Sequence, residues 1–420
     1  MELLDNPVRP YAWGSRTVIA ELLGEPVPSP HPQAELWFGA HPADPSHLVL
    51  ADGRRVPLHD AVRADPDRLL GPERTGRWGG RLPFLLKVLA ADEPLSLQAH
   101  PSAVQAAAGY AREDAAGLPL DAPERNYRDA SHKPELICAL TEFHALVGFR
   151  EPAATVRLLE ALEVPDLAAH TMLLAGQPDH DGLRALFTTW ITLPQSVLDR
   201  LVPALQDGCV RLAATDGEFH AEARVLLELS ERYPGDAGVL AAALLNRVVL
   251  APGEALFLPA GVLHTYLAGA GVEIMANSDN VLRGGLTPKH VDVPELLRVL
   301  DFGAPPPPVL RGCPDGRWAR YRTPADEFLL RRLESGPEPA GIPVPAGGPR
   351  ILLCTAGSAG VRDGGREVEL RRGGAVWLDA ADTGVRVVPR EPGTLLFLAS
   401  DGLACVRDSP EPVPLSGSGG

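Results

Sequence analysis

The chain has 420 residues, is 45% hydrophobic and carries a formal charge of −15. That length suggests two or three domains, and so acidic a balance argues against a surface built for nucleic acid or an anionic membrane. No apolar run approaches the ~20 residues of a membrane helix.

The opening, MELLDNPVRPYAWGS, lacks the basic start and apolar core of a signal peptide. The five cysteines (Cys138, Cys209, Cys313, Cys354 and Cys405) are widely spaced and form no CxxC pair. A reducing cytoplasm is the expected setting. Of 39 Lys plus Arg only three are lysines: Lys87, Lys133 and Lys289. In a chain that otherwise writes Arg, a surviving Lys marks a place where a compact ammonium serves and a wide, permanently charged fork does not. Chance survival is the other reading of any one of them.

Residues 1–50 read as short extended pieces broken by Pro and Gly. Trp13, Trp37, Phe38 and His41 either line a pocket or belong to the core and turns of a sheet. A short helix is expected near His59 to Leu70. The stretch LPFLLKVLAADEPLSLQAHPS predicts a strand over Phe84 to Leu89, a turn at Asp92 to Pro94, and a second short strand. In that second strand Ser96, Gln98 and His100 alternate and so share one face. A helix is expected over Ala103 to Asp114, started by Ser102. His132, Lys133 and Glu135 stand at the entrance to strands over Ile137 to Leu140 and Phe143 to Phe149.

From Glu151 to about Arg247 apolar residues recur three and four apart, as in TVRLLEALEVPDLAAHTMLL, which predicts an inserted helical subdomain. Its histidines, His170, His180 and His220, read as surface or packing residues. Val248 to Leu267 returns to strands and tight turns, with PGEALFLPAGVLH suiting a small β-barrel whose interior holds a metal. GVEIMANSDNVLRGGLTPKHVD then carries Glu273, Asn277, Asp279, Asn280, Arg283 and Lys289 on a strand and a glycine-rich loop. A helix over Val293 to Leu300 and a proline run, Pro305 to Pro308, precede further strands to about Val406. At an offset of 120 residues Gly253 meets Gly373, Leu258 meets Leu378 and His264 falls on Gly384. This reads as a weak internal repeat of two related barrels, the second lacking the ligand, or as a coincidence of β-patterning.

Gln98, His100, Glu135 and His264 form an N2O2 set without thiolate, which suits an open, water-bearing metal site. By spacing alone the same residues read equally well as a strand-end His satisfying backbone and a solvated HKPE turn. A metal-dependent dioxygenase and a non-catalytic sensor are the competing functional classes.

QAHPS (Gln98 to Ser102), HKPEL (His132 to Leu136), PAGVLHTY (Pro259 to Tyr266) and NSDNVLRGGLTPKHVDVPELL (Asn277 to Leu297) together resemble the type I phosphomannose isomerase family. AELWFGAHPADPS resembles that family's N-terminal block, and Ser131 stands where Asn is expected. The resemblance implies a mainly β fold with an α insertion: a double cupin of jelly-roll barrels plus the helical subdomain. The implied divisions are a catalytic cupin domain of residues 1–150 and 248–304, the insertion 151–247, a degenerate cupin 305–408 and a flexible tail 409–420. It implies one zinc per subunit on Gln98, His100, Glu135 and His264, with Arg283 as the active-site arginine. Lys87, Ser96 and Lys289 match positions that hold the substrate phosphate. Lys133, Glu273, Tyr266 and Asp279 match polar residues around the sugar, and Trp13 is placed with the substrate contacts. Lys133 and Glu273, with Asp279 behind them, are the candidate acids and bases. The implied reaction interconverts mannose 6-phosphate and fructose 6-phosphate. The expected partner is that sugar phosphate, with no nucleic acid and no membrane, and the chain is expected to act as a monomer.

Overall fold

The computed structural model describes residues 1–303 and 305–403. The fold is mostly β, with a block of helices between Pro152 and Ala242. No helix among the described residues is long and apolar enough to cross a membrane.

The expected strand after Leu82 runs from Phe84 to Ala91, with all eight residues buried. Its alternation assigns two faces. Phe84, Leu86, Val88 and Ala90 enter one apolar core, while Lys87 and Leu89 line a cavity on the other side. Neighbouring strands Glu35–Phe38, Glu135–Ala139 and His264–Ala276 divide their side chains between the same two environments. Such a strand, buried on both faces, reads as a continuous apolar run, which is why a lone Lys inside it stands out.

The eleven-stranded sheet that holds these strands packs against a nine-stranded sheet made of six C-terminal strands and three N-terminal ones, Glu2–Asp5, His47–Val49 and Arg55–Pro57. The shared core joins Phe38, Phe84, Val88 and Ile274 to Phe328, Leu330, Ile351, Trp377 and Phe397. The first strand, Glu2–Asp5, pairs with Ala375–Leu378 in the C-terminal sheet. Conversely Val309–Leu310 pairs with Ala255–Leu258 in the other. Glu2–Asp5 also pairs with His47–Val49, so the nine-stranded sheet receives three strands from the N-terminal part, while Val309–Leu310 is an edge of the other sheet.

The internal repeat is visible in the strand register. Ala255–Leu258 and Ala375–Leu378 start 120 residues apart. They pair with Glu135–Ala139 and Arg350–Ala356 through matching registers, Ala255 opposite Cys138 and Ala375 opposite Leu353. Following the ladders outward, the place of Glu135 is taken by Arg350 and that of Glu273 by Leu398. The second unit fills its interior with Leu333, Leu352, Val376, Leu396 and Leu398.

The helical block has its own core, built on Leu158, Leu186, Trp190, Leu205 and Leu226. Leu97 and Ala99, the hidden face of the Gln98–Ala99 strand, join that core. Ser102 caps Ala103–Ala115 with a reciprocal capping box to Gln105. The expected helix near His59 is two, Leu58–Ala64 and Pro66–Leu70, separated at Asp65 because Pro66 cannot continue a helix but can start one. The expected tail, 409–420, lies outside the described residues.

Candidate active site

A cavity of about 600 Å³ opens between the main sheet, the Gln98–Ala99 strand and the loop after Arg283. Three cross-strand neighbours form one row on its wall: Trp37 opposite Lys87, and Lys87 opposite Glu273. His264 and Arg283 both pair with Gln98, one on each side. Register therefore brings residues 98, 264 and 283 together although the chain separates them widely.

His100, Glu135 and His264 are each buried and offer ligand atoms within 4.8 Å of one another. His100 Nε2 lies 3.3 Å from Glu135 Oε1, and His264 Nε2 lies 3.6 Å from Glu135 Oε2. Donors about 2.1 Å from a shared tetrahedral zinc would stand roughly 3.3 Å apart. Each imidazole donates Nδ1–H to a carbonyl: His100 to Asn280 O at 2.8 Å and His264 to Val262 O at 2.9 Å. That fixes the tautomer and turns a lone pair at both Nε2 atoms toward Glu135. Both Nε2 atoms and Glu135 Oε2 are buried without a hydrogen-bond partner. Three orphaned acceptors facing one point are costly in a closed fold and are what a cation satisfies. Gln98 lines the same cavity and offers an amide oxygen from the adjacent strand.

Burial alone would raise the Glu135 carboxyl, but Lys133 and His100 outweigh it and hold it well below the usual carboxylate range. Lys133 Nζ lies 3.1 Å from Glu135 Oε1. Burial pushes His100 below its ordinary value. Each shift favours the form that binds a metal: ionised carboxylate and neutral imidazole.

Beside this set lies a second group. Glu273 accepts a hydrogen bond from Tyr266 at 2.9 Å and lies 3.6 Å from Lys87 Nζ. Burial, helped by the charge of Glu135 and opposed by that of Lys87, raises the Glu273 carboxyl to about 7. Lys87 also meets Glu35 at 3.4 Å and sits 5.1 Å from the centre of the Trp37 ring. Burial would lower the Lys87 ammonium, yet Glu35 and Glu273 keep it above its ordinary value. Burial and the Glu273 charge push the Tyr266 phenol well above its ordinary value, so it remains a donor.

The cavity's far end is cationic, with Arg128, Arg283 and Lys289 lining it. Asp279 is 3.4 Å from His41, whose hydrogen bond lowers its carboxyl. Ser96 and Trp13 also line the cavity, and the Trp13 carbonyl accepts from the Asp92 and Glu93 amides.

Of the thirteen side chains assigned from the sequence to metal, catalysis or substrate, eleven line this cavity, and His100 and His264 lie buried against its Glu135. Phe38 belongs to the intersheet core. Sequence reasoning missed Glu35, Arg128 and Tyr233. Glu35 had a signal, being two residues before Trp37 on one strand face. Arg128 lies in a loop without periodicity, and Tyr233 comes from the helical block, donating to Pro94 O at 2.8 Å.

Comparison with known proteins agrees with this geometry. Residues 1–152 match the model of the phosphomannose isomerase type I catalytic domain. The chain is 40% identical to the mannose-6-phosphate isomerase of Escherichia coli over 92% of its length and 97% of that protein's. It is 33% identical to the mannose-6-phosphate isomerase of Pan troglodytes over 94% of its length and 96% of the relative's. A crystal structure of the Salmonella typhimurium enzyme bound to fructose 6-phosphate and zinc superposes with a TM-score of 0.87 at 36% identity, covering 96% of this chain and 99% of that one. A zinc-bound mannose 6-phosphate isomerase gives the same TM-score over 95% and 99%. By identity over nearly its whole length, the chain belongs to the type I phosphomannose isomerase family.

Proposed function

We propose that this protein is a zinc-dependent isomerase that interconverts D-mannose 6-phosphate and D-fructose 6-phosphate. The observation that carries the reading is the orphaned His100–Glu135–His264 set, whose Glu135 lines a cavity that also holds a near-neutral carboxyl and three cations, Arg128, Arg283 and Lys289. We assign one zinc per subunit to Gln98, His100, Glu135 and His264. Bound there, zinc supplies fixed positive charge beside the sugar's carbonyl oxygens.

The remaining work falls to side chains. Moving the carbonyl from C1 to C2 requires the C2 proton to leave and a proton to reach C1, through an enediol-like species. We assign the proton carrier to Glu273, since a carboxyl at about 7 both accepts and returns a proton near neutral pH. Lys87 and Tyr266 hold that carboxylate in place, so we place Lys87 with the reacting carbons. Lys133, already beside Glu135, is placed to donate toward the developing oxyanion. Asp279, held ionised by His41, is a weak base and is given a positioning role. Arg283 and Lys289 with Ser96 take the phosphate, and Trp13 closes the mouth.

The same reading divides the chain into a catalytic cupin of residues 1–150 and 248–304, a helical insertion of 151–247 and a second, site-free cupin of 305–408. The matched registers and the aliphatic filling of the second unit support that division. The separated cysteines, unpaired at Cys138, Cys209, Cys313 and Cys354, support a cytoplasmic setting.

The test is a coupled isomerase assay with metal analysis on wild type and Arg283→Ala. Zinc should be retained in both, and kcat/KM should fall in the variant by roughly 10- to 100-fold, consistent with removing one charge-assisted contact to the phosphate. A zinc-loaded wild type that does not turn over mannose 6-phosphate refutes the reading.

A further inference from the structure

We propose that Arg128 is a phosphate-binding residue of this site, acting with Arg283 and Lys289 as a three-cation clamp. The proposal rests on the sugar-phosphate reading above. Three observations support it.

The first is charge left without a partner. Arg128, Arg283 and Lys289 share the lining of one end of the cavity. Among the described residues, none of the three is within ion-pair distance of a carboxylate. The acidic groups nearby are already engaged: Asp279 with His41, and Glu93 with Arg232. In a chain of net charge −15, three such cations together stand out. They also repel one another. Burial lowers the Arg283 and Lys289 groups below their ordinary values, and the Arg128 charge lowers both further. Like charges held together at a cost are relieved by a bound anion, and a dianionic phosphate relieves them most.

The second is anchorage. The Arg128 backbone amide donates to Asn280 Oδ1 at 2.8 Å. Asn280 is fully buried, and its own carbonyl accepts from the metal-set residue His100. One residue thus anchors both the backbone that carries Arg128 and an imidazole of the metal set.

The third is contrast. Lys87, a buried cation of the wall, lies between Glu35 and Glu273, whereas Arg128 is exposed. A phosphate placed there would face two carboxylates. The Arg128 charge helps to lower the Asp279 carboxyl but forms no ion pair with it, and the planar fork of Arg128 suits bidentate contact with phosphate oxygens.

The experiment uses full-length, zinc-loaded protein. Wild type, Arg128→Gln and Arg128→Lys are titrated with inorganic phosphate by calorimetry and assayed with mannose 6-phosphate. Arg77→Gln, an exposed cation outside the cavity, is the control. Loss of one charge-assisted contact predicts that Arg128→Gln weakens phosphate binding and raises KM by roughly 10- to 100-fold, with kcat within about threefold. Arg128→Lys should recover part of the loss, and Arg77→Gln should match wild type. Phosphate affinity within about twofold of wild type in Arg128→Gln overturns the proposal, as does a fall in kcat at unchanged KM. If wild type lacks isomerase turnover, the functional reading fails. The calorimetric comparison then still decides whether Arg128 belongs to an anion clamp.

Discussion

Replacing Tyr266 by phenylalanine removes one hydroxyl, the donor that meets Glu273 Oε1 at 2.9 Å. Both side chains are buried, so water does not replace the lost bond freely. A hydrogen bond to a charged acceptor is worth about 1.5–3 kcal/mol, and one pKa unit is about 1.4 kcal/mol. The Glu273 carboxyl, at about 7 in the intact protein, should therefore rise by roughly 1–2 units. A base works only when ionised, so the acid limb of kcat/KM moves to higher pH. At neutral pH the variant should fall roughly 5- to 50-fold below wild type and recover toward it above about pH 9. A cation on His100, Glu135 and His264 lowers both limbs together, so the displacement between the two proteins is the quantity to measure. The assay is a coupled kcat/KM profile over a range of about pH 5.5 to 9.5, with zinc content checked at each end. A uniform loss with the limb unmoved would refute Glu273 as the proton carrier and would place Tyr266 on the substrate instead.

Four further outcomes are expected. His100→Ala should lose zinc and turnover together, since it removes one of three converging acceptors; metal analysis decides this. Asn280→Ala removes the side chain that binds the Arg128 amide and the Asp129 and Ser131 carbonyls, and should cost about 2–4 kcal/mol in stability and about 10-fold or more in zinc affinity, read by melting and metal competition. Because burial depresses His100, protons compete poorly for its Nε2, and zinc should stay bound as pH falls through about 6.5, the ordinary His value; release near that pH would contradict this. His132 pairs with Glu327 at 2.6 Å, and that hydrogen bond raises its pKa. The stabilisation is then fully present below the ordinary His value and is lost as pH rises through the elevated one. His132→Gln should cost about 1 kcal/mol at low pH and little at high pH, so an equal deficit at both ends would overturn the pairing argument.

The letters of the sequence were informative wherever one side chain broke a pattern. Lys87 in an apolar strand and Ser96 and Gln98 at alternate positions line the cavity, although the strand itself is only Gln98–Ala99, and His264 after a tight turn pairs with Gln98. The partners of those residues were not legible, because partnership is set by register between distant strands. Nothing in the chain's order says that Trp37, Lys87 and Glu273 form a row, or that Arg283 flanks Gln98. The exchange of strands between the sheets was hidden for the same reason. Glu2–Asp5 is an ordinary short strand until it pairs with Ala375–Leu378. Loop residues were the least legible, since Arg128 owes its place to a hydrogen bond with Asn280 rather than to any periodicity.

The His264–Ala276 strand explains how the proposed metal set and the proposed proton carrier come to lie on one wall. His264 and Tyr266 lie on its inner face, and strict alternation would then turn the odd-numbered positions outward. Glu273, nine residues after His264, would point into the core between the sheets. It does not, because the ladder to Phe143–Phe149 shifts by one residue between Tyr266 and Ala268. A bulge of one residue reverses the faces beyond it. Ala270, Val272 and Ile274 then enter the intersheet core, while Glu273 and Met275 face the cavity. Gly269 follows at once with φ +111°, where an added Cβ would lie 2.4 Å from the Glu142 carbonyl oxygen. The bend also moves the strand from pairing with Gln98 and Val147 to pairing with Phe84–Ala91 and Glu135–Ala139. One extra residue thus sets His264 with the metal ligands and Glu273 with Lys87, on the same wall and on the same strand. The chemistry depends on that parity, because a carboxyl turned into the apolar core could neither reach substrate nor meet Lys87.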